Sequence, residues 1–215
     1  MRSPRAPAWL PPHPPGLRVG LFGGSFNPPH AGHRHAALLA LKRLRLDRVW
    51  WLVSPGNPLK DNAGLPPLAT RVAAASRLAA HPRIAVTGLE ASIGSRHTRD
   101  TLAWLQRHCP GVRFVWLMGA DSLVSFHRWR DWRAIAACVP IAVIDRPGTT
   151  LAAKASRAAR AFRAFRLRES AAPGLASRRP PAFVYLHGPR VAISSTQLRG
   201  GEPAAQSARM SSPRH

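Results

Sequence analysis

The chain reads Gly23-Gly24-Ser25-Phe26-Asn27-Pro28-Pro29-His30-Ala31-Gly32-His33 at one point. Two glycines let a backbone come close to a phosphate, and a helix that begins just after them offers free amides and the positive end of its dipole to an anion. His30 and His33 are three apart, so a helix starting near residue 29 or 30 places both on one face, pointing back toward the preceding strand. Two imidazoles there can donate to phosphate oxygens, and Gly32 between them leaves space for a flat ring against the helix backbone. The segment has neither the Gly-x-Gly-x-x-Gly of dinucleotide-binding dehydrogenases nor the Gly-Lys-Ser/Thr of a P-loop. A His pair at this spacing also fits surface decoration or a stray metal site; the double glycine at a strand-to-helix turn favours phosphate chemistry.

A second candidate is Ile193-Ser194-Ser195-Thr196-Gln197-Leu198-Arg199. Ser194 or Ser195 would cap a short helix and leave its first amides open to a phosphate. Arg199, one turn beyond Ser195, can add a bidentate guanidinium. An ordinary capped helix is the bland alternative.

The elements that must position these residues alternate along the chain. Leu17–Phe22 reads as a strand, residues 30–46 as a helix and Val49–Val53 as a strand. Leu68–Ala80 and Thr98–His108 read as helices, with Arg83–Thr87 a strand between them. Val112–Met118 is a strand and Asp121–Ala137 helical in two pieces, followed by strands at Val139–Ile144 and Ala182–Leu186. Part of Leu151–Leu167 reads as helix, and the stretch from there to residue 181 as loop. Alternation at this spacing implies right-handed crossovers and an α/β fold: a Rossmann-like, doubly wound parallel sheet with helices on both faces. Ligands of such sheets sit at the carboxyl ends of the strands, near the switch point. Six prolines within residues 1–17 predict a flexible leader. Residues 18–199 then form the folded domain and residues 200–215 a flexible polar tail.

Composition narrows the class. The 215 residues carry 32 Lys plus Arg against 9 Asp plus Glu, a net charge of +23, and only three of the cations are lysine (Lys42, Lys60 and Lys154). The arginines are spread through every segment rather than gathered in a stripe. That distribution fits compositional drift plus an anionic small substrate better than a dedicated nucleic-acid binder, although an Arg-rich RNA-binding protein on this fold stays open as the alternative. Cys109 and Cys138 are the only cysteines, too few for a disulfide framework or an all-Cys zinc site. The longest apolar stretch, Ala134–Ile144, spans 11 residues, too short for a membrane helix. No apolar segment precedes the early prolines, so no secretory signal is expected, and the expected compartment is the cytoplasm.

The first segment resembles the signature of the nucleotidylyltransferase superfamily, whose adenylyltransferases carry His-x-Gly-His or Thr-x-Gly-His at this position. Its long form is similar to that of the bacterial nicotinate-nucleotide adenylyltransferases. The second segment, about 160 residues further on, resembles the superfamily's Ile-Ser-Ser-Thr-x-x-Arg. The resemblance covers roughly residues 18–199. It implies transfer of AMP from ATP to nicotinate mononucleotide, giving deamido-NAD and pyrophosphate, with Mg²⁺ carried in by ATP and no protein metal site. It implies His30, His33 and Arg199 as catalytic, and Gly23, Gly24, Ser25, Phe26, Gly32, Ile193, Ser194, Ser195 and Thr196 as ATP-binding. Asn57-Pro58-Leu59-Lys60 resembles the family's phosphate-side loop and makes Lys60 a candidate. His97-Thr98-Arg99-Asp100-Thr101-Leu102 resembles Tyr-Thr-x-Asp-Thr-Leu, with His97 in place of Tyr. Thr98 there would bind the acceptor's carboxylate, cap the helix, or both, while Asp100 and Thr101 support the helix start. Gly119-Ala120-Asp121-Ser122-Leu123 matches a ribose-contacting stretch, so Gly119 and Asp121 join the ATP set, Asp121 alternatively as an N-cap. Asn27 and Trp129 complete the nicotinate mononucleotide set, Trp129 by stacking on the pyridine ring, while Trp132 belongs to the core. A nicotinamide-mononucleotide or other small-acceptor adenylyltransferase is the nearest rival reading, and oligomeric state is left open.

Overall fold

The computed structural model describes residues 10–56, 58–59, 62–145 and 150–188. The chain runs β1 (Arg18–Gly24), α1 (Ala31–Arg43), β2 (Arg48–Val53), α2 (Leu68–Ala79), β3 (Ile84–Thr87), α3 (Leu89–Ser92), α4 (Thr98–His108), β4 (Arg113–Gly119), α5 (Ala120–Ser125), α6 (Trp132–Cys138), β5 (Ile141–Ile144), α7 (Thr150–Ala155), α8 (Arg157–Ala161) and β6 (Phe183–Leu186). Single 3-10 turns lie at Phe126–Arg128 and Arg163–Phe165, and a longer 3-10 run at Glu169–Ser177. All six strands are parallel, in the order β3-β2-β1-β4-β5-β6.

The strands are apolar almost throughout because both faces of the sheet are covered. Successive side chains take opposite faces. Leu21 of β1 and Trp50 of β2 join the cluster under α4, α5 and α6, while Phe22 and Trp51, one residue on, join the cluster under α1 and α2. The connection reverses between β1 and β4, which pair from Arg18↔Arg113 to Phe22↔Leu117. Their carboxyl ends therefore diverge into helices on opposite faces and leave a crevice between them.

The strands and long helices read from the alternation are present, with ends shifted by a few residues. α1 stops at Arg43 because Arg45 takes a left-handed conformation (φ 50°). The stretch read as loop before β6 contains the 3-10 run Glu169–Ser177, whose Pro173 hides any helical period and whose Ala172, Leu175 and Ala176 are buried against the sheet. The chain already lies on the body of the domain ahead of Leu17: the Gly16 N–H donates to the Gly111 carbonyl at 2.9 Å, and Leu10 and Leu17 pack on the core. Residues 1–9 and 200–215 lie outside the described residues.

Candidate active site

The turn after β1 is shaped by packing before any ligand is considered. A Cβ on Gly23 would sit 2.8 Å from the Trp116 indole of β4, so the glycine is dictated by the neighbouring strand as well as by the crevice. Phe26 adopts a left-handed backbone (φ 48°), which costs a non-glycine residue about 1 kcal/mol or more. Its ring, 2% exposed, offsets that cost by stacking on Trp51 at 4.9 Å and 14° and by meeting His33 at 4.9 Å.

α1 begins at Ala31, one residue later than the reading that put both histidines on a helical face. His30 is the N-cap, with extended backbone (φ −146°, ψ 164°). The two rings still meet, at 3.8 Å between centroids. The His30 N–H donates to His33 Nδ1 at 3.2 Å. With Nδ1 as acceptor, the neutral ring carries its proton on Nε2, which is then a donor. His33 lines a cavity of about 410 Å³, whereas His30, 4% exposed, and Gly32 are buried behind it.

That cavity occupies the crevice between the ends of β1 and β4. Gly23, Gly24, Ser25 and Phe26 form its floor on the β1 side, and Gly119 and Asp121 on the β4 side. Thr98 and Trp129 form the far wall. Trp129 is half-buried and meets Trp116 edge-on at 6.2 Å and 85°. The capping roles weighed for two of these residues do not hold. His97 is the N-cap of α4 and Thr98 its first helical residue; Gly119 is the N-cap of α5 and Asp121 its second residue. Both residues line the cavity. Asn27 stands outside its wall. Lys60, Ile193, Ser194, Ser195, Thr196 and Arg199 lie outside the described residues.

Two buried polar residues at this site escaped the sequence reading. Arg71 of α2, 3% exposed, donates to the carbonyls of Pro66 (2.9 Å), Ser25 (2.8 Å), Ser54 (2.7 Å) and Pro55 (3.3 Å). One guanidinium thus ties the turn after β1 to the turn after β2 and to the start of α2. Burial draws it below the usual arginine value, yet arginine remains a cation at physiological pH. Glu90 of α3 lines the cavity from beneath Thr98 with a carboxyl 3.1 Å from the Thr101 hydroxyl. Burial pushes that carboxyl up to about 7, against the opposing pull of Thr101. Thr101 is fully buried, in keeping with a structural role at the start of α4. Arg96, Arg128 and Arg130 also reach the cavity wall. The signals available for Arg71 and Glu90 were a cation in an Ala-rich helix and one of only nine acids, neither of which announces burial.

Comparison with known proteins converges with this geometry. The chain matches the family model for cytidylyltransferase-like proteins over residues 21–201. It is 62% identical over 183 residues to a Methylorubrum extorquens protein named "Probable nicotinate-nucleotide adenylyltransferase", an alignment that covers 85% of this chain and 99% of the relative. A Brucella abortus protein of the same name is 56% identical over 183 residues, covering 85% and 94%. Among solved structures, the Plasmodium falciparum nicotinic acid mononucleotide adenylyltransferase complexed with NaAD superposes with a TM-score of 0.63, over 86% of this chain and 83% of that one. At 16% identity this last likeness is one of fold.

Proposed function

The chain belongs to the cytidylyltransferase-like family, alongside nicotinate-nucleotide adenylyltransferases, and from that premise we propose that it transfers AMP from ATP to nicotinate mononucleotide, releasing pyrophosphate. The observation that carries the reading is the crevice between β1 and β4, with the imidazole of His33 on one side and Thr98 and Trp129 on the other. A triphosphate and a flat acidic ring need those two kinds of wall.

In the reaction a phosphate oxygen of nicotinate mononucleotide attacks the α-phosphorus of ATP. The new P–O bond forms as the bond to the β-phosphate oxygen breaks, and pyrophosphate departs with the electron pair. The attacking phosphate is ionised near neutrality, so no general base is needed. Catalysis is then alignment and stabilisation of charge. His33 donates through Nε2–H to the α-phosphate; His30 holds His33 in that tautomer through its own N–H. Gly23, Gly24, Ser25 and Phe26 shape the nucleotide floor with Gly32 behind, and Gly119 and Asp121 take the ribose. Thr98 and Trp129 receive the acceptor's ring, with Asn27 beside the turn.

We assign Lys60, Ile193, Ser194, Ser195, Thr196 and Arg199 to the triphosphate on their resemblance to the family's segments, within a nucleotidylyltransferase domain of residues 18–199. Among the described residues two carboxyls line the cavity, Asp121 and Glu90, and the latter meets Thr101. That donor set fits Mg²⁺ that arrives on the triphosphate, keeps most of its waters and neutralises phosphate charge. No helix among the described residues is long and apolar enough to cross a membrane. We place the reaction in the cytoplasm.

The test is pyrophosphate release with ATP and Mg²⁺, comparing nicotinate with nicotinamide mononucleotide. A preference of about tenfold or more for the acid, about 1.4 kcal/mol in transition-state binding, is expected. Equal use of both acceptors would replace the acid-specific reading with a dual one. Release with neither would overturn the function.

A further inference from the structure

Glu90 stands in the cavity wall, 6% exposed, and the reaction derived above gives it no part. Its Oε1 is 3.1 Å from Thr101 Oγ1, Thr101 Oγ1 is 2.9 Å from Ser95 Oγ, and Ser95 Oγ is 3.1 Å from the His97 carbonyl. All three side chains are buried. Three oxygen–oxygen contacts therefore run in series, and the two hydroxyls own one proton each. A carboxylate at one end and a carbonyl at the other can only accept. With Glu90 ionised, one of the three contacts has no proton and sets lone pair against lone pair inside the protein. The Thr101 hydroxyl also lies 3.3 Å from the same carbonyl, a longer contact that adds no proton to the series. A proton on Glu90 completes the series: Glu90 donates to Thr101, Thr101 to Ser95 and Ser95 to His97.

We propose that Glu90 works as the neutral acid: a positioning residue that holds the His97–Thr98 turn through this proton chain and keeps a negative charge out of the acceptor wall, so that its ionisation disfavours an acceptor bearing a ring carboxylate. The upward displacement of its carboxyl by burial agrees with the geometry. The charged or titratable groups facing this wall are Arg96 and His97 from its own loop, Arg128 and Arg130 across the cavity, Asp121 from α5 and His33 from α1. Among the described residues the Glu90 carboxyl meets Thr101 and none of these. The inference rests on nicotinate mononucleotide being the acceptor.

Two measurements test it, neither of which requires turnover. Difference infrared spectroscopy of the wild-type protein at about pH 6, below the value near 7, should show the carbonyl stretch of a buried protonated carboxylic acid. That band should vanish at about pH 9 and be missing from Glu90→Gln. Calorimetric titration at the same two pH values should show wild type losing about tenfold in affinity for nicotinate mononucleotide relative to Glu90→Gln at the higher pH. The amide can donate to Thr101 and cannot ionise, and the comparison removes the titration of the ligand's own phosphate. Nicotinamide mononucleotide, which lacks the ring carboxylate, should show no such divergence. A missing band at about pH 6 overturns the protonation, and coincident profiles for the two proteins overturn its consequence for the acceptor. Absence of pyrophosphate release, with the band and the divergence intact, counts against the proposed reaction and not against Glu90.

Discussion

The two sides of the cavity are built by different means. On the β1 side the backbone is clamped: one buried guanidinium gathers four carbonyls from three segments, and Phe26 is fixed against Trp51 and His33. On the α4 side the wall is a four-residue helix, a chain of hydroxyls and a half-buried indole, with exposed arginines at its edge. A group transferred from the same nucleotide in every turnover needs fixed geometry, which backbone carbonyls under a rigid cation supply. Choosing between an acid and an amide needs groups whose charge and hydrogen bonding can differ, which side chains supply. On the proposed reaction, the rigid half would serve the chemistry and the side-chain half discrimination.

Substitutions on each half should break the contrast in different observables. The largest effect is expected for His33→Ala, which removes the Nε2–H donor and should lower kcat about 10²-fold or more with little change in melting temperature. Unchanged turnover in the folded variant would remove His33 from the chemistry. Arg71→Met leaves four carbonyl acceptors around an apolar side chain and should cost about 3 kcal/mol of stability, read by chemical denaturation. Because the turn that it holds carries Ser25, kcat should fall as well, while affinity for nicotinate mononucleotide stays close to wild type. An affinity loss as large as the kcat loss would mean that the two halves are not separable.

Glu90 should act on stability through pH. Its carboxyl lies near the ordinary value, 4.5, in the unfolded chain and near 7 when folded, so the folded state binds the proton more tightly. Stability from this group is fully present below about 4.5 and is lost as pH rises toward 7. Relative to Glu90→Gln, wild type should lose about 3 kcal/mol across that window. The smallest effect is expected for Trp129→Ala, which should weaken binding of nicotinate mononucleotide by about 1 kcal/mol, roughly fivefold, and leave the KM for ATP unchanged.

The β1 turn was legible because its residue types are rare in combination and sit at a boundary that the alternation already marks. The same alternation pointed to a doubly wound parallel sheet, whereas the order of its strands is set by pairings between distant segments. Local spacing could not decide whether His30 begins the helix or caps it, and the one-residue difference buries the ring behind His33 instead of setting it beside it. Arg71 was illegible for a different reason. Its partners Ser25 and Ser54 lie 46 and 17 residues away, and an arginine in an Ala-rich helix reads as solvated until those turns are folded over it. Glu90 was hidden likewise, since α3 is too short to show a period and Thr101, on a later helix, is what gives the carboxyl its partner. Gly23 was legible as a glycine but not for its reason, the Trp116 indole of a strand paired across the sheet.

Trp116 and Trp129 stand nearly perpendicular at 6.2 Å, one in the floor of the cavity and one in its wall. Two indoles this close share their ultraviolet excitations, and their mutual angle sets the sign and size of the resulting couplet in circular dichroism. A pyridine ring laid on Trp129 would join that coupled system. If the acceptor seats on Trp129 as proposed, this indole pair would report its capture without a label and let it be followed apart from the chemistry.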